Sequence, residues 1–230
     1  MLVPGTDLES SGRAAELAAH EADIRAAVGV HPHAAVTWNI LAERRLRDLA
    51  MREGVAAIGE IGLDYKRMHS PRETQRAAFA AQLELAAELG LPVIVHIREA
   101  LDDTLEALEL VCQAARGTAP RGVLHAFGGA AVAAEWAVAH GWYVGIGGAI
   151  TYPASGPLRE RVRHEAMMGC TLLETDAPYL PPEGRRGRRN EPALVARVAE
   201  RLARESGMDV ERVVSLTRRN AQMLLGWEPG

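Results

Sequence analysis

The sequence predicts an α/β protein of the TIM (β/α) barrel type, and two observations carry that prediction. Short apolar runs alternate with longer helical patterns along all 230 residues, and no low-complexity linker interrupts them. Each connection between apolar runs is also long enough to hold a helix, which implies parallel strands joined by right-handed crossovers. An open, doubly wound sheet is the competing architecture. Its nucleotide-binding versions need a Gly-x-Gly-x-x-Gly or Gly-x-x-x-x-Gly-Lys pattern after the first strand, and none is present.

The expected strands are Leu2 to Gly5, Arg25 to Val30, Val55 to Glu60, Pro92 to His96, Gly122 to Ala126, Trp142 to Ile146 and Thr171 to Thr175. Helical patterns fill the intervals at Ser11 to Ala22, Thr37 to Arg52, Pro71 to Leu89, Leu101 to Ala115 and Ala131 to His140. Ser70-Pro71 reads as an N-cap followed by proline in the first turn, and Gly90 as a C-terminal stop. Gly145-Ile146-Gly147-Gly148 lacks a third glycine at the phosphate-binding offset and reads as a tight strand-end turn. From Glu191 the pattern is wholly helical. Seven strands are one short of an eight-stranded barrel, and the chain opens in mid-strand. The expectation is a single barrel domain over residues 1–230 that lacks its first strand-helix unit.

The composition is 48% hydrophobic with 4% aromatics, so the core is packed from Ala, Leu, Val and Ile. A formal charge of -4 argues against a protein that coats nucleic acid by bulk electrostatics but permits a local basic site. Cys112 and Cys170 have no Cys-x-x-Cys spacing and read as reduced, buried thiols. No apolar run approaches the roughly 20 residues that span a bilayer. The chain therefore reads as cytoplasmic, with no membrane partner.

The chemistry gathers where apolar runs end. Gly59-Glu60-Ile61-Gly62-Leu63-Asp64-Tyr65 places an acid between glycines at the end of a buried strand, where the backbone is expected to turn. His96, His125 and Asp176 close three further strands, at intervals of about one, one and two βα units, as expected of side chains on the C-terminal rim of a barrel. Imidazole and carboxylate groups in this mixture suit Zn²⁺, with Mn²⁺ or Mg²⁺ favoured as the oxygen share rises.

Gly29-Val30-His31-Pro32-His33, the Gly59 to Tyr65 stretch, Val95-His96-Ile97-Arg98-Glu99-Ala100, His125-Ala126-Phe127-Gly128-Gly129, Glu174-Thr175-Asp176-Ala177-Pro178-Tyr179-Leu180 and Arg186-Gly187-Arg188-Arg189-Asn190-Glu191-Pro192 together resemble the successive motifs of the TatD family of metal-dependent deoxyribonucleases. The resemblance implies a metal-dependent hydrolase barrel that cleaves phosphodiester bonds as an exodeoxyribonuclease, on single-stranded DNA or 3′ ends. It implies one or two divalent metal ions per chain. Glu60 would bridge them, His96 and His125 would hold one, and Asp176 would hold the other and orient the attacking water. Family members begin with a strand ending in His-x-His, and no such pair precedes Leu2. The second site therefore keeps only Glu60 and Asp176, and the activity expected of this form is correspondingly reduced.

Secondary candidates complete the list. His31 is a candidate for proton transfer or substrate positioning. Arg98, Arg186, Arg188 and Arg189, with Arg185 beside them, are candidates for holding phosphates. Asp64 and Glu174 adjoin the ligand-type residues and are expected to orient the histidines. Trp142 and Tyr143 are expected to pack. Hydrolysis of an amide or ester, for example an aminoacyl link, is the alternative reading, since fold and metal do not fix a substrate. A truncated barrel with little activity is the other.

Overall fold

The computed structural model describes residues 1–114 and 120–226. The last residue of the predicted helix 101–115, Ala115, lies outside the described residues. Among the described residues the chain divides into two compact units, the first of residues up to Gly122 together with 225–226, the second of Val123–Leu224.

In the first unit, β1 (Leu2–Pro4), β2 (Arg25–Val28), β3 (Val55–Asp64) and β4 (Val93–Arg98) pair in sequence order, all parallel. Helices α1 (Leu8–His20), α2 (Ile40–Ala50), α3 (Arg72–Leu89) and α4 (Leu101–Ala114) alternate with them. Ala27, Val28, Ile58, Ile61, Val93 and Val95 are fully covered, as are Leu46, Leu49 and Leu83 of the helices. Local capping sets several boundaries. Asp7 accepts the N–H of Ser10 at 2.7 Å and starts α1 three residues before the expected Ser11. Asn39 accepts from Leu41 and Ala42, so α2 begins at Ile40, while Pro32–Thr37 forms a separate 3-10 segment. Pro71, without a side-chain cap, stands at the N-cap of α3. Ser70, the expected cap, instead accepts the N–H of Val36 and donates to the carbonyl of His33, fastening the 3-10 segment. Gly90 ends α3 with φ of 66°.

Two strands run further than the sequence suggests. β3 continues four residues beyond Glu60, and its register against β4 shifts between Ile58 and Ile61. The glycines there mark a bulge inside a strand, not a turn that ends one. β4 reaches Arg98, two residues past His96.

In the second unit, β5 (Gly122–Leu124), β6 (Tyr143–Ile146) and β7 (Thr171–Leu173) also pair in parallel, through Val123, Leu124, Val144 and their partners. The helices are α5 (Ala131–His140), α6 (Gly156–Val162), α7 (Glu165–Met168), α8 (Val195–Ser206) and α9 (Val210–Leu225). Ile146, Val144, Val162, Val198, Leu202 and Val213 build its core. Trp142 is packed, 1% exposed, with its ring edge-on to Trp136. Asn220 ties α9 to the start of β7 by donating to the carbonyls of Met168 and Thr171. No helix among the described residues is long and apolar enough to cross a membrane.

Candidate metal centre

The β3 bulge turns Glu60 into a cluster with two histidines. Its backbone N–H donates to the carbonyl of Gly5 at 2.9 Å, and its side chain is 12% exposed. Gly62 lies opposite His96 in the ladder at φ of +135°, and a Cβ there would overlap the His96 carbonyl oxygen. Only a glycine lets the two backbones approach so closely, and this approach places His96 over Glu60. His96 Nδ1 is 2.9 Å from Glu60 Oε1.

His31 reaches the same carboxylate from beyond the end of β2, with Nε2 3.7 Å from Glu60 Oε1. Its position follows from the His-Pro-His sequence. Pro32 has no N–H, so the first free donor of the 3-10 segment is that of His33, and it donates to His31 Nδ1 at 3.1 Å. The His31 ring is edge-on to both His33 and His96, with centroids 4.3 Å and 4.5 Å away. Burial lowers its pKa to about 4, reinforced by His96 and His33 and opposed by Glu60 and Asp64.

Asp64, fully buried, supports the cluster from the end of β3. It accepts from His33 Nε2 at 2.7 Å and from the backbone N–H groups of Lys66 and Arg67 at 2.9 and 2.8 Å. Burial alone would push this carboxyl up. The bonds from Arg67, His33 and Lys66, with the nearby His96, bring it down to about 2. Two buried glutamines clamp the neighbouring backbone. Gln75 accepts the N–H of Asp64 and donates to the carbonyls of Asp64 and Ser70, while Gln82 does the same for both backbone groups of Val30.

Whether a cation fits here depends on the donor atoms of His31, Glu60 and His96. Ligand atoms of these three residues lie within 4.8 Å of one another. His96 Nε2 is buried and makes no hydrogen bond, with Asp64 Oδ2 3.4 Å away, and a bound ligand would satisfy it. The His96 imidazole and the Glu60 carboxylate are of the donor types that zinc and related divalent ions take, so these residues fit a metal, with His31 beside them.

The second unit carries its own polar group. His125 follows β5 directly, with Nδ1 2.9 Å from Glu174 Oε2 and Nε2 3.5 Å from Asp176 Oδ1. Glu174 also accepts the N–H of Ala126 at 2.8 Å. A Cβ at Gly145 would strike the Glu174 carboxylate, so this glycine makes room for it. Beyond Asp176 the chain forms an exposed basic loop with Arg185, Arg186, Arg188 and Arg189. Asn190, 2% exposed, pins its end by donating to the Tyr179 carbonyl at 2.6 Å. The Arg186 guanidinium lies over the Tyr152 ring at 5.0 Å. Arg98, in the first unit, ends β4 exposed.

The structure thus brings Glu60, His96 and His31 together in one unit, and His125 and Asp176 in the other. The residues that sequence reasoning missed are His33, Gln75 and Gln82. Gln75 and Gln82 sit seven residues apart on the buried face of α3, a polar interruption of an apolar stripe that points to backbone left unpaired nearby.

A profile of the TatD related DNase family matches residues 1–226. The chain is 36% identical to the 3′-5′ ssDNA/RNA exonuclease TatD of Escherichia coli (strain K12), over 98% of this chain and 87% of that protein. It is equally 36% identical to the metal-dependent hydrolase YabD of Bacillus subtilis (strain 168), over 97% and 86%. Among solved structures, the TatD homologue YJJV from Escherichia coli K12 superposes with a TM-score of 0.89 at 30% identity, covering 99% of this chain and 86% of that one. The phosphotriesterase homology protein from Escherichia coli, with a TM-score of 0.60 at 17% identity over 88% of this chain and 74% of that one, speaks to the fold alone. The fold is of the TIM-barrel class. With the family match running essentially from end to end, the chain belongs to the TatD related DNase family.

Proposed function

We propose that this protein is a metal-dependent phosphodiesterase that shortens single-stranded DNA or RNA from its 3′ end. The observation that carries the reading is the His31, Glu60 and His96 cluster, in which the buried His96 Nε2 makes no hydrogen bond. The 3′-5′ ssDNA/RNA exonuclease named among the relatives supplies the substrate class.

Glu60 and His96 are the residues we assign to hold a divalent ion, and the ion when bound supplies an acidified water and polarisation of a phosphoryl oxygen. His125 and Asp176, in the other unit, carry the same donor types and are assigned as ligands by family membership, Asp176 also orienting the attacking water. Asp64 and Glu174 orient imidazoles, and Arg98, Arg186, Arg188 and Arg189 contact backbone phosphates. The protein works in the cytoplasm, where Cys112 and Cys170 stay reduced.

The test is chain shortening of a 3′-labelled and a 5′-labelled single strand by wild type and Glu60→Ala, each with zinc, manganese or magnesium and with chelator. Wild type degrades the strand from the 3′ side only when metal is present, and Glu60→Ala does not. Equal activity in the two proteins, or activity indifferent to chelator, overturns the reading.

A further inference from the structure

We infer that His31 is a hydrogen-bond donor to a phosphoryl oxygen of the substrate and not a ligand of the metal, because the backbone of His33 fixes its proton on Nε2. The inference rests on the proposed phosphodiester chemistry for the identity of the acceptor, but its geometric basis is independent of it.

A neutral imidazole has one N–H and one lone pair. In His31 the lone pair is Nδ1, since that nitrogen accepts the His33 N–H at 3.1 Å. The proton is consequently on Nε2, the nitrogen that faces Glu60. Ligation through Nε2 would need the opposite tautomer. Nδ1 would then carry a hydrogen aimed at the His33 N–H, and two donors would confront each other inside a buried turn. The ring cannot escape this by turning over, for it is 8% exposed and wedged against the rings of His33 and His96. His96 is in the reverse situation. Its Nε2 is buried and makes no hydrogen bond, with Asp64 Oδ2 3.4 Å away, while Nδ1 faces Glu60 at 2.9 Å.

The sequence supplies the device. Pro32 removes the N–H that would otherwise come first in the 3-10 segment, so His33 provides the nearest backbone donor for the His31 side chain. The Nε2–H is 3.7 Å from Glu60 Oε1, longer than a hydrogen bond, so its donor strength is not absorbed by that carboxylate. A phosphoryl oxygen entering beside Glu60 and His96 meets a donor already oriented toward it.

Three measurements on the full chain test this. In wild-type protein, long-range proton-nitrogen correlation spectra of selectively labelled histidine identify the tautomer directly, and the Nε2–H form is expected for His31; the Nδ1–H form overturns the inference. Zinc content after dialysis and zinc affinity by competition are expected to match wild type in His31→Ala and His31→Gln. Binding of inorganic phosphate to the zinc-loaded proteins is expected to weaken about tenfold to hundredfold in His31→Ala, with partial recovery in His31→Gln, whose amide restores an N–H. Loss of zinc in both folded variants would make His31 a ligand, and phosphate binding that is absent from wild type or unchanged in His31→Ala removes the donor role. None of these readouts needs turnover. If wild type degrades no nucleic acid yet the phosphate and zinc results stand, the nuclease reading fails alone.

Discussion

Glu174 divides its carboxylate between two neighbours, with Oε2 2.9 Å from Nδ1 of His125 and Oε1 accepting the N–H of Ala126 at 2.8 Å. The first contact fixes the imidazole and the second fixes the backbone that carries it. Glu174→Gln keeps the volume but replaces one acceptor by a donor, and is expected to lower the rate of strand degradation roughly tenfold to hundredfold. Steady-state kinetics on a labelled oligonucleotide check this, and an unchanged rate would remove Glu174 from any role in positioning His125.

Gly62→Ala is expected to destabilise the protein by about 2–4 kcal/mol, because φ of +135° disfavours a side chain and the added Cβ overlaps the His96 carbonyl. Gly90→Ala is the control. It too has a positive φ, 66°, but nothing lies within 4 Å of its added Cβ, so its cost is about 1 kcal/mol. Urea denaturation of both variants at neutral pH separates backbone strain from the close approach at the metal centre.

How much of this was readable beforehand differs between the scaffold and the site. The alternation of apolar runs and helical patterns located each of the seven described strands, since period and run length follow directly from burial. Strand ends were less legible. Glycines at 59 and 62 were expected to end a strand, yet they sit within β3, because a turn and a bulge use the same backbone freedom. Glu60 and His96 stood out by residue type. The partnership of Asp64 with His33 did not, since it joins residues 31 positions apart through a side chain that the chain order gives no reason to pair. The tautomer of His31 was written in Pro32, but only the fold shows which donor the proline leaves first.

Asp64 gives a pH prediction whose sign is fixed. Its carboxyl stands at about 2 in the folded protein against an ordinary value of 3.8, so the unfolded chain binds more protons between those two values. The resulting stabilisation, about 2 kcal/mol, is fully present above pH 3.8 and is lost as pH falls toward 2. Asp64→Asn is therefore expected to be less stable than wild type at pH 7, and the gap should narrow in acid through that window. Denaturant titrations of metal-free protein across acid pH check this. A gap that is constant with pH would mean that packing, not charge, explains the loss.

The basic loop yields a prediction about salt. Arg186, Arg188 and Arg189 are all exposed, and the stacking of Arg186 on Tyr152 holds one guanidinium in a defined place without neutralising it. If each contacts a phosphate of a single strand, replacing all three with alanine lowers the slope of log affinity against log salt by about 2. Affinity at low salt falls accordingly, whereas the sequence preference does not change, because phosphate contacts carry no base information. Binding of a homopolymer oligonucleotide, followed by fluorescence anisotropy over a range of salt concentrations with the metal chelated, measures the slope without degradation. An unaltered slope would show that this loop is a solvated face, and the phosphate contacts would then have to come from Arg98 and its surroundings in the first unit.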